Sequence, residues 1–468
     1  IANGSLARVE SIATGDGSIL IVSYHALAAD RRSAQIITRD LFEAYHKLAA
    51  GQPAIVEPAS HVFQDFVNWE QSNTNTESAR KKLEYLKSEL DGAPAFVSLP
   101  VEPGNPGSLK FQLADAISHK VLSLAAEQEV PLFDLVLSAY QLLLHRECGQ
   151  HDLVVGCSLP GRQHVEIRRL VAPLENTVTM RSNVADDPTF VEMLSANQQR
   201  VKRAVANQQY PYRRLRSRLQ LPDSNRSPVF QVMLEMEPEA SMDPRGIPSF
   251  FLGMKGHQFQ SAGHTVTSFD AELQQTRAEL TLAMEEVGGT VYGCWKFDGT
   301  RVNLDAVSQL HGQFVSLLNE VTDNPLAKIS SLSGDGPAFS RWTGSSHGGE
   351  ILALAGDGLD GPVDPTAEAT LDPNIVAPAD RSYDPNKFDR AFLTGATGFL
   401  RCWSACSRSQ RYMNTTSPLR MRVARTFTQG CWSCHSKVTA APWTARSAVW
   451  SLRASSGWPR AASAFWKL

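Results

Sequence analysis

Leu20-Ile21-Val22-Ser23-Tyr24-His25-Ala26-Leu27-Ala28-Ala29-Asp30-Arg31-Arg32-Ser33 is the stretch on which the reading of this 468-residue chain turns. Its first part, Ile19 to Tyr24, is apolar and β-branched and reads as a strand. Leu6 to Ile12 reads as its partner, with Gly15-Asp16-Gly17 as the turn between them. From Ser33 onward the period changes. Ile36, Ile37, Leu41, Tyr45 and Leu48 recur at helical spacing and share one face. A strand therefore runs into a helix through a short connection that carries one imidazole, His25, and one carboxylate, Asp30.

Outward from this unit, Pro53 to Pro58 reads as a loop and Val62 to Leu90 as a long amphipathic stretch. Ala93 to Pro106, rich in Pro and Gly, reads as a crossing between two lobes. Helical patterns follow over Ala116–Gln128, Phe133–Arg146 and Thr189–Asn207. The second of these is apolar nearly all round, which predicts a buried helix. Leu153–Val155 and Phe230–Leu234 read as strands. Leu280–Met284 and Val291–Phe297 read as a hairpin about Gly288-Gly289, and Leu304 to Val321 as a last long helix. Strands and helices mix without strict alternation, which predicts the α+β class.

Composition bounds the function. Apolar residues make up 42% and charged residues 20%, as in ordinary globular proteins. A net charge of −3 argues neither for nucleic acid nor for a membrane surface, neither is expected as a partner, and no apolar run approaches the ~20 residues of a spanning helix. The chain reads as cytoplasmic. It starts at Ile1 without a leader-like segment, which suggests a cut through a larger protein. Cys148, Cys157 and Cys294 read as reduced core thiols. The remaining four cysteines fall after residue 400, where the composition breaks. From Arg401 to the end there are 11 Lys/Arg, no Asp or Glu, and six of the nine Trp. Such a break marks a boundary.

Several blocks occur together in one order and resemble the condensation domains of nonribosomal peptide synthetases. Tyr24-His25 to Asp30-Arg31 resembles that family's signature of two His, three variable residues, Asp and Gly. Phe63-Gln64-Asp65-Phe66-Val67-Asn68-Trp69 resembles its aromatic-Asp-aromatic-Trp segment. Leu83-Glu84-Tyr85 to Pro94 resembles the helix that ends its first lobe. Gly149 to Gly156, Gly161-Arg162, Asn176-Thr177 with Arg181, Gln209 to Tyr212, and Arg226 to Met233 are similar to later blocks. The resemblance implies a two-lobed fold like chloramphenicol acetyltransferase, with the active site in a tunnel between the lobes. The expected division is a partial first lobe over 1–95, lacking its opening elements, and a second lobe over 96–335. It also implies joining of acyl and aminoacyl groups by an amide or ester bond. Upstream and downstream carrier domains would deliver these groups on phosphopantetheine arms, and the condensation region would bind no cofactor and no metal.

In that chemistry the donor is already a thioester. Holding both substrates in line can lower the barrier by about 7–11 kcal/mol. An imidazole with a pKa near ~6.5 suits general-base work, worth roughly 10²–10⁴-fold. The resemblance makes His25 the candidate catalytic residue and gives Asp30 a structural role, paired with an Arg for which Arg162 is a candidate. Asn176 belongs to the same structural set. The spacing departs from the family pattern, which sets the catalytic His four residues before the Asp. His25 lies five before Asp30, and Ala26 stands at the four-residue position. Either the loop holds one extra residue and His25 reaches the tunnel, or Ala26 sits in the catalytic place and His25 is a strand-end histidine with a structural hydrogen bond. Two further departures are Arg31 in place of the motif Gly, and Pro173 and Glu175 where the family is apolar.

Residues 336–385, with many Gly, Pro, Asp and Ser, read as a linker. Over 386–400, Phe392-Leu393-Thr394-Gly395-Ala396-Thr397-Gly398-Phe399-Leu400 resembles the opening of a terminal thioester reductase. Thr394, Gly395, Gly398 and Phe399 are the candidate cofactor-binding residues there. Arg401 stands where the third Gly belongs, and no βαβ unit or ribose-binding acid follows. NADP binding is expected only of a complete reductase. The segment 401–468 reads as an aberrant basic tail, out of frame and without a packed core. Cys431-Trp432-Ser433-Cys434-His435 has haem-attachment spacing, but nothing around it is like a cytochrome. Two rival readings stand beside the condensing enzyme. One is a degenerate domain that docks carriers without turnover, and the other a free-standing acyltransferase that uses coenzyme A.

Overall fold

The computed structural model describes residues 6–14, 17–54, 61–99, 101–221, 226–236, 252–261, 264–268, 276–332, 352–353 and 445–453. The reductase-like opening with Thr394, Gly395, Gly398 and Phe399 lies outside the described residues. So do the linker except 352–353 and the tail except 445–453.

The first unit pairs β1 (Ala7–Thr14) with β2 (Gly17–His25) in antiparallel register, Ala7 opposite Tyr24 and Thr14 opposite Gly17. Along β2, Leu20, Val22 and Tyr24 are buried while Ile21, Ser23 and His25 alternate to the more open face. The strand leads into α1 (Arg31–Ala49), whose buried positions include Ser33, Ala34, Ile36 and Phe42. The amphipathic stretch after residue 62 is not continuous. It breaks into α2 (Phe63–Thr74) and α3 (Glu77–Leu90), because the Thr76 hydroxyl accepts from the Ala79 N–H and caps α3. No residue of α2 is fully buried, whereas α3 buries Ala79, Leu83, Leu86 and Leu90.

The larger unit is built on a six-stranded sheet of β3 (Gly107–Gln112), β4 (Asp152–Leu159), β5 (Asn176–Asn183), β7 (Val232–Glu235), β10 (Leu280–Val287) and β11 (Thr290–Phe297). Their spatial order is β3-β11-β10-β7-β4-β5. Strand β7 pairs in parallel with both neighbours, so the 153–155 and 232–234 runs lie side by side. Its helices are α4 (Asp115–Glu127), α5 (Leu132–Cys148), α6 (Phe190–Asn207) and α8 (Leu304–Asp323). Alternation along the strands separates two cores. Leu153, Val155, Val232, Leu234, Leu280, Leu282 and Trp295 join the core formed with these four helices. Val154 and Met233, on the opposite face, pack with Leu83, Leu86 and Leu90 of α3. A short α7 (Tyr212–Arg216) brings Leu215 to this second core. The apolar pattern of α5 has the expected result: Phe133, Leu135, Ala139, Tyr140 and Leu144 are all essentially unexposed, and Tyr140 meets the Trp295 ring edge-on at 5.7 Å.

Smaller strands complete the fold. β8 (Gln258–Ser261) and β9 (His264–Ser268) form a hairpin, and β6 (Leu219–Gln220) pairs with β12 (Leu352–Ala353) inside the stretch read as linker. One run of the tail lies within the described residues. Residues 445–453 form β13, between β2 and β9 in a five-stranded sheet ordered β1-β2-β13-β9-β8. This run lacks Gly and Pro and contains Val449 and Trp450, which suits an extended chain. Among the described residues, no helix is long and apolar enough to cross a membrane.

One buried group disfavours this fold near neutral pH. Asp134, in the first turn of α5, is 2% exposed and its Oδ1 has no hydrogen-bond partner. Burial pushes its pKa up to about 6, against a lesser opposing pull from Lys202. The folded state thus holds this proton more tightly than the unfolded chain. The stability linked to it is complete below pH ~4 and falls as pH rises to about 6. His145 works the other way. Its ring lies between the Gln150 carbonyl and the Ser182 hydroxyl, and burial lowers its pKa to about 4, so its contribution falls as pH drops from about 6.5. Asp134→Asn is expected to stabilise the protein by about 1–3 kcal/mol at pH 7.5 and by almost nothing at pH 3.5. Urea unfolding of wild type and variant at the two pH values measures the difference, which cancels the His145 contribution.

Candidate active site

Between β2 and α1 the chain makes one tight turn. The His25 carbonyl accepts from the N–H groups of Ala28 and Ala29 at 2.9 and 3.2 Å, and Asp30 caps α1 by accepting from the Ser33 N–H at 2.8 Å. The carboxylate does more than cap. Its Oδ2 accepts from the N–H groups of Leu174 and Glu175 at 2.9 and 3.0 Å. Arg162 meets both oxygens as a fork, Nη1 to Oδ2 and Nη2 to Oδ1, each at 2.9 Å, with both side chains only 3% exposed. The same guanidinium donates to Ser33 Oγ and to the carbonyls of Pro160, Leu170 and Ala172. Ser33 Oγ in turn exchanges hydrogen bonds with the Ala172 backbone. One charge pair thus ties the start of α1 to the segment from Pro160 to Glu175.

Gly161 makes this possible. It sits at φ +66°, and a Cβ there would collide with the Leu174 carbonyl oxygen. Gly161→Ala is expected to cost about 1–3 kcal/mol from the backbone alone and to displace the neighbouring Arg162. A midpoint unchanged in urea denaturation would show that the loop relaxes freely.

Asn176 heads β5 and serves a different junction. Its amide nitrogen donates to the carbonyls of Gln208 and Tyr210, and its oxygen accepts from the N–H groups of Thr177 and Tyr212. With all four bonds made inside the fold, it braces the 208–212 segment. His25 is half-buried at the end of β2, and its Nδ1 accepts from the Leu27 N–H at 3.1 Å. Ala26, the first residue of the turn, is also half-buried.

A cleft opens beside the lock, lined by Asp30, Arg31, Ser158, Glu175, Glu235 and Met236 among others. Asp30, Arg31 and Glu175 stood out in the sequence, whereas Glu235 and the charges that meet it did not. Glu235 and Glu285 lie on the sheet face opposite the four-helix core, since their strand neighbours Leu234 and Met284 belong to that core. Arg31 forms an ion pair with Glu285 and points Nη1 at the Glu235 carbonyl from 3.5 Å. Lys296 Nζ binds Glu235 at 2.6 Å, Arg277 binds Glu175 at 2.8 Å, and Ser158 Oγ donates to Glu175. The available signal was a carboxylate closing an apolar strand run, as in Val232-Met233-Leu234-Glu235. Among the described residues, no cluster of three or more His, Cys, Asp or Glu could hold a metal ion.

The Condensation domain family matches residues 1–335. The chain is 26% identical over 343 residues to a linear gramicidin synthase of Brevibacillus parabrevis, covering 71% of this chain and 6% of that protein. It is 26% identical over 349 residues to malpinin synthetase of Mortierella alpina, covering 72% of this chain and 4% of that protein. It therefore spans a small fraction of the curated relatives it matches. Among solved structures, a holo four-domain nonribosomal peptide synthetase bound to AMP and glycine superposes with a TM-score of 0.60 at 22% identity, over 71% of this chain and 26% of that one. The first condensation domain of the calcium-dependent antibiotic synthetase, in complex with a substrate analogue, gives 0.56 at 15% identity over 70% and 69%. At these identities the structures speak for the fold.

Proposed function

The chain belongs to the condensation-domain family, and from that premise we propose that it joins an acyl and an aminoacyl group, each held on a carrier protein, through an amide or ester bond. The observation that carries this reading is the Asp30–Arg162 fork, which fixes the turn after His25 so that Asp30 and Arg31 line a cleft beside the sheet, with His25 and Ala26 outside its lining. Residues 1–95 and 96–335 are assigned to its two lobes. The substrates arrive on the phosphopantetheine arms of upstream and downstream carriers, and the amine of one attacks the thioester carbon of the other. Amine nitrogen bonds to acyl carbon, the thiol leaves, and one proton passes from nitrogen to the leaving sulfur or to solvent. Residues 386–400 are assigned to the opening of a terminal thioester reductase on Thr394, Gly395, Gly398 and Phe399.

The test uses the full parent protein with two loaded carriers and intact-protein mass spectrometry of the downstream carrier. Transfer of the acyl mass supports the reading. A second reading, a degenerate domain that docks carriers without turnover, is favoured by the bond that occupies His25 Nδ1. Carrier binding without mass transfer would establish it, and transfer from a free coenzyme A thioester would point to the stand-alone acyltransferase.

A further inference from the structure

Between Arg200 and Leu221 stand seven Lys or Arg residues and no Asp or Glu, in a chain whose net charge is −3. Four of the seven, Arg213, Arg214, Arg216 and Arg218, fall on α7 and the two residues after it. Arg213 and Arg216 are exposed, and neither forms an ion pair with a carboxylate among the described residues. Arg214 has Glu70 of α2 as a neighbouring charge, and Arg203 of α6 has Glu89 of α3 at 3.9 Å. A surface of one sign attracts an anionic partner.

Such a partner begins next to it in the same chain. β6 starts one residue after Arg218 and pairs with β12, Leu219 opposite Ala353 and Gln220 opposite Leu352. The pairing is antiparallel, so at Ala353 the chain is heading back towards Arg218 and α7. β12 also lies beside α3, which meets α7. From Trp342 to Asp380 there are seven Asp or Glu and no Lys or Arg. Asp357 is four residues beyond Ala353, within about 14 Å of it at full extension, and Asp360 and Asp364 come next. Two segments of opposite sign are thus joined by a strand pair at the end of the basic one.

We propose that the arginines of α7 are the docking surface for the acidic stretch of this chain from Asp357 to Asp372. The tether gives the acids an effective concentration on the order of millimolar, so individually weak, exposed ion pairs suffice. Docking fixes the path by which the chain leaves the condensation unit. Undocked, the 19 residues from Ala353 to Asp372 could reach about 65 Å in any direction. The inference is independent of the reaction and stands whether or not the domain turns over.

The test uses the full chain carrying Arg213→Lys and Arg216→Lys, which keep both charges and supply amines. A water-soluble carbodiimide joins an amine to a carboxylate that touches it. The amide C–N bond forms, the activated oxygen leaves with the reagent as a urea, and the amine proton goes to buffer. Peptide mass spectrometry reads which carboxylate is joined. Lys120 and Asp323, 2.7 Å apart, give an internal standard for the folded chain. Products from position 213 or 216 to Asp357, Asp360 or Asp364 are expected, and their yield relative to the standard should fall at least about fivefold in ~1 M salt, where the screening length is ~3 Å. Adding Asp360→Asn and Asp364→Asn should cut the yield to Asp357 at least about threefold, because the segment docks as a unit, whereas mere tethering would leave it unchanged. A chain that gives the Lys120–Asp323 product without these cross-links would overturn the proposal, as would a yield to Asp357 indifferent to salt and to the two neutral substitutions. In the full parent protein with loaded carriers, products from 213 or 216 to a carrier carboxylate instead of the acidic stretch would assign the surface to the carriers. Hybrid products in a mixture of ordinary and isotope-labelled chains would assign it to a second copy.

Discussion

Arg162→Met is expected to lower the stability of the protein by about 3–5 kcal/mol, the cost of breaking a buried charge pair from one side. The carboxylate of Asp30 would keep three backbone donors, from Ser33, Leu174 and Glu175, and lose both guanidinium bonds. At 3% exposure water cannot replace them. The carbonyls of Pro160, Leu170 and Ala172 would lose the same donor. The double variant Asp30→Asn/Arg162→Met should recover part of the loss, because a pair removed together leaves no orphaned charge. Urea denaturation followed by Trp fluorescence gives both numbers. A single-variant cost under about 1 kcal/mol, the range of an exposed pair, would mean that the lock does not hold the turn.

Ala26→His is expected to raise the condensation rate by roughly 10²–10⁴-fold, the usual worth of a positioned general base, while His25→Ala should lower it by less than about tenfold. The reasoning starts from the ring of His25. Its Nδ1 accepts the Leu27 N–H, which places the proton of the neutral imidazole on Nε2. The one acceptor lone pair of that ring is then used by Leu27, and none is left for an incoming proton while this bond holds. His25 also stands five residues before Asp30, whose position is set by the lock, and Ala26 stands four before it. An imidazole at residue 26 would enter a half-buried place at the head of the turn. What remains in the parent is positioning, which can still lower the barrier by about 7–11 kcal/mol. The comparison is best made in the full parent protein with two loaded carriers. A loss of a hundredfold or more in His25→Ala with no gain in Ala26→His would identify His25 as the base.

The two variants probe different ranges of information. The order of blocks from Tyr24 to Met233 was legible in one pass and pointed to the condensation fold, because each block is a run of neighbours with its own turn or period. Helices α1, α5 and α8 and the Gly288-Gly289 hairpin were equally legible. Helical period and positive-φ glycines (+60° and +83° here) are properties of contiguous residues. The polar strand β5, Asn176 to Asn183, was not read as a strand, since its alternation is blurred by Thr, Arg and Ser on both faces. Nor was the break at Thr76, where a single hydroxyl outweighs an amphipathic period that runs on.

The cleft shows the same division more sharply. By itself the sequence determined that an imidazole and a carboxylate stand five residues apart between a strand and a helix, and that Arg31 and Glu175 are charged where the family pattern is not. Tertiary structure alone decided what those charges meet. Asp30 and Arg162 are 132 residues apart, and their fork depends on how Gly161 turns under Leu174. Arg31 finds Glu285 because the parallel pairing of β7 with β4 and β10 sets Glu235 and Glu285 on the face that α1 approaches. Charge is written in the residue type, but its partner is chosen by long-range packing, and in a buried cleft the partner decides whether that charge binds, blocks or catalyses.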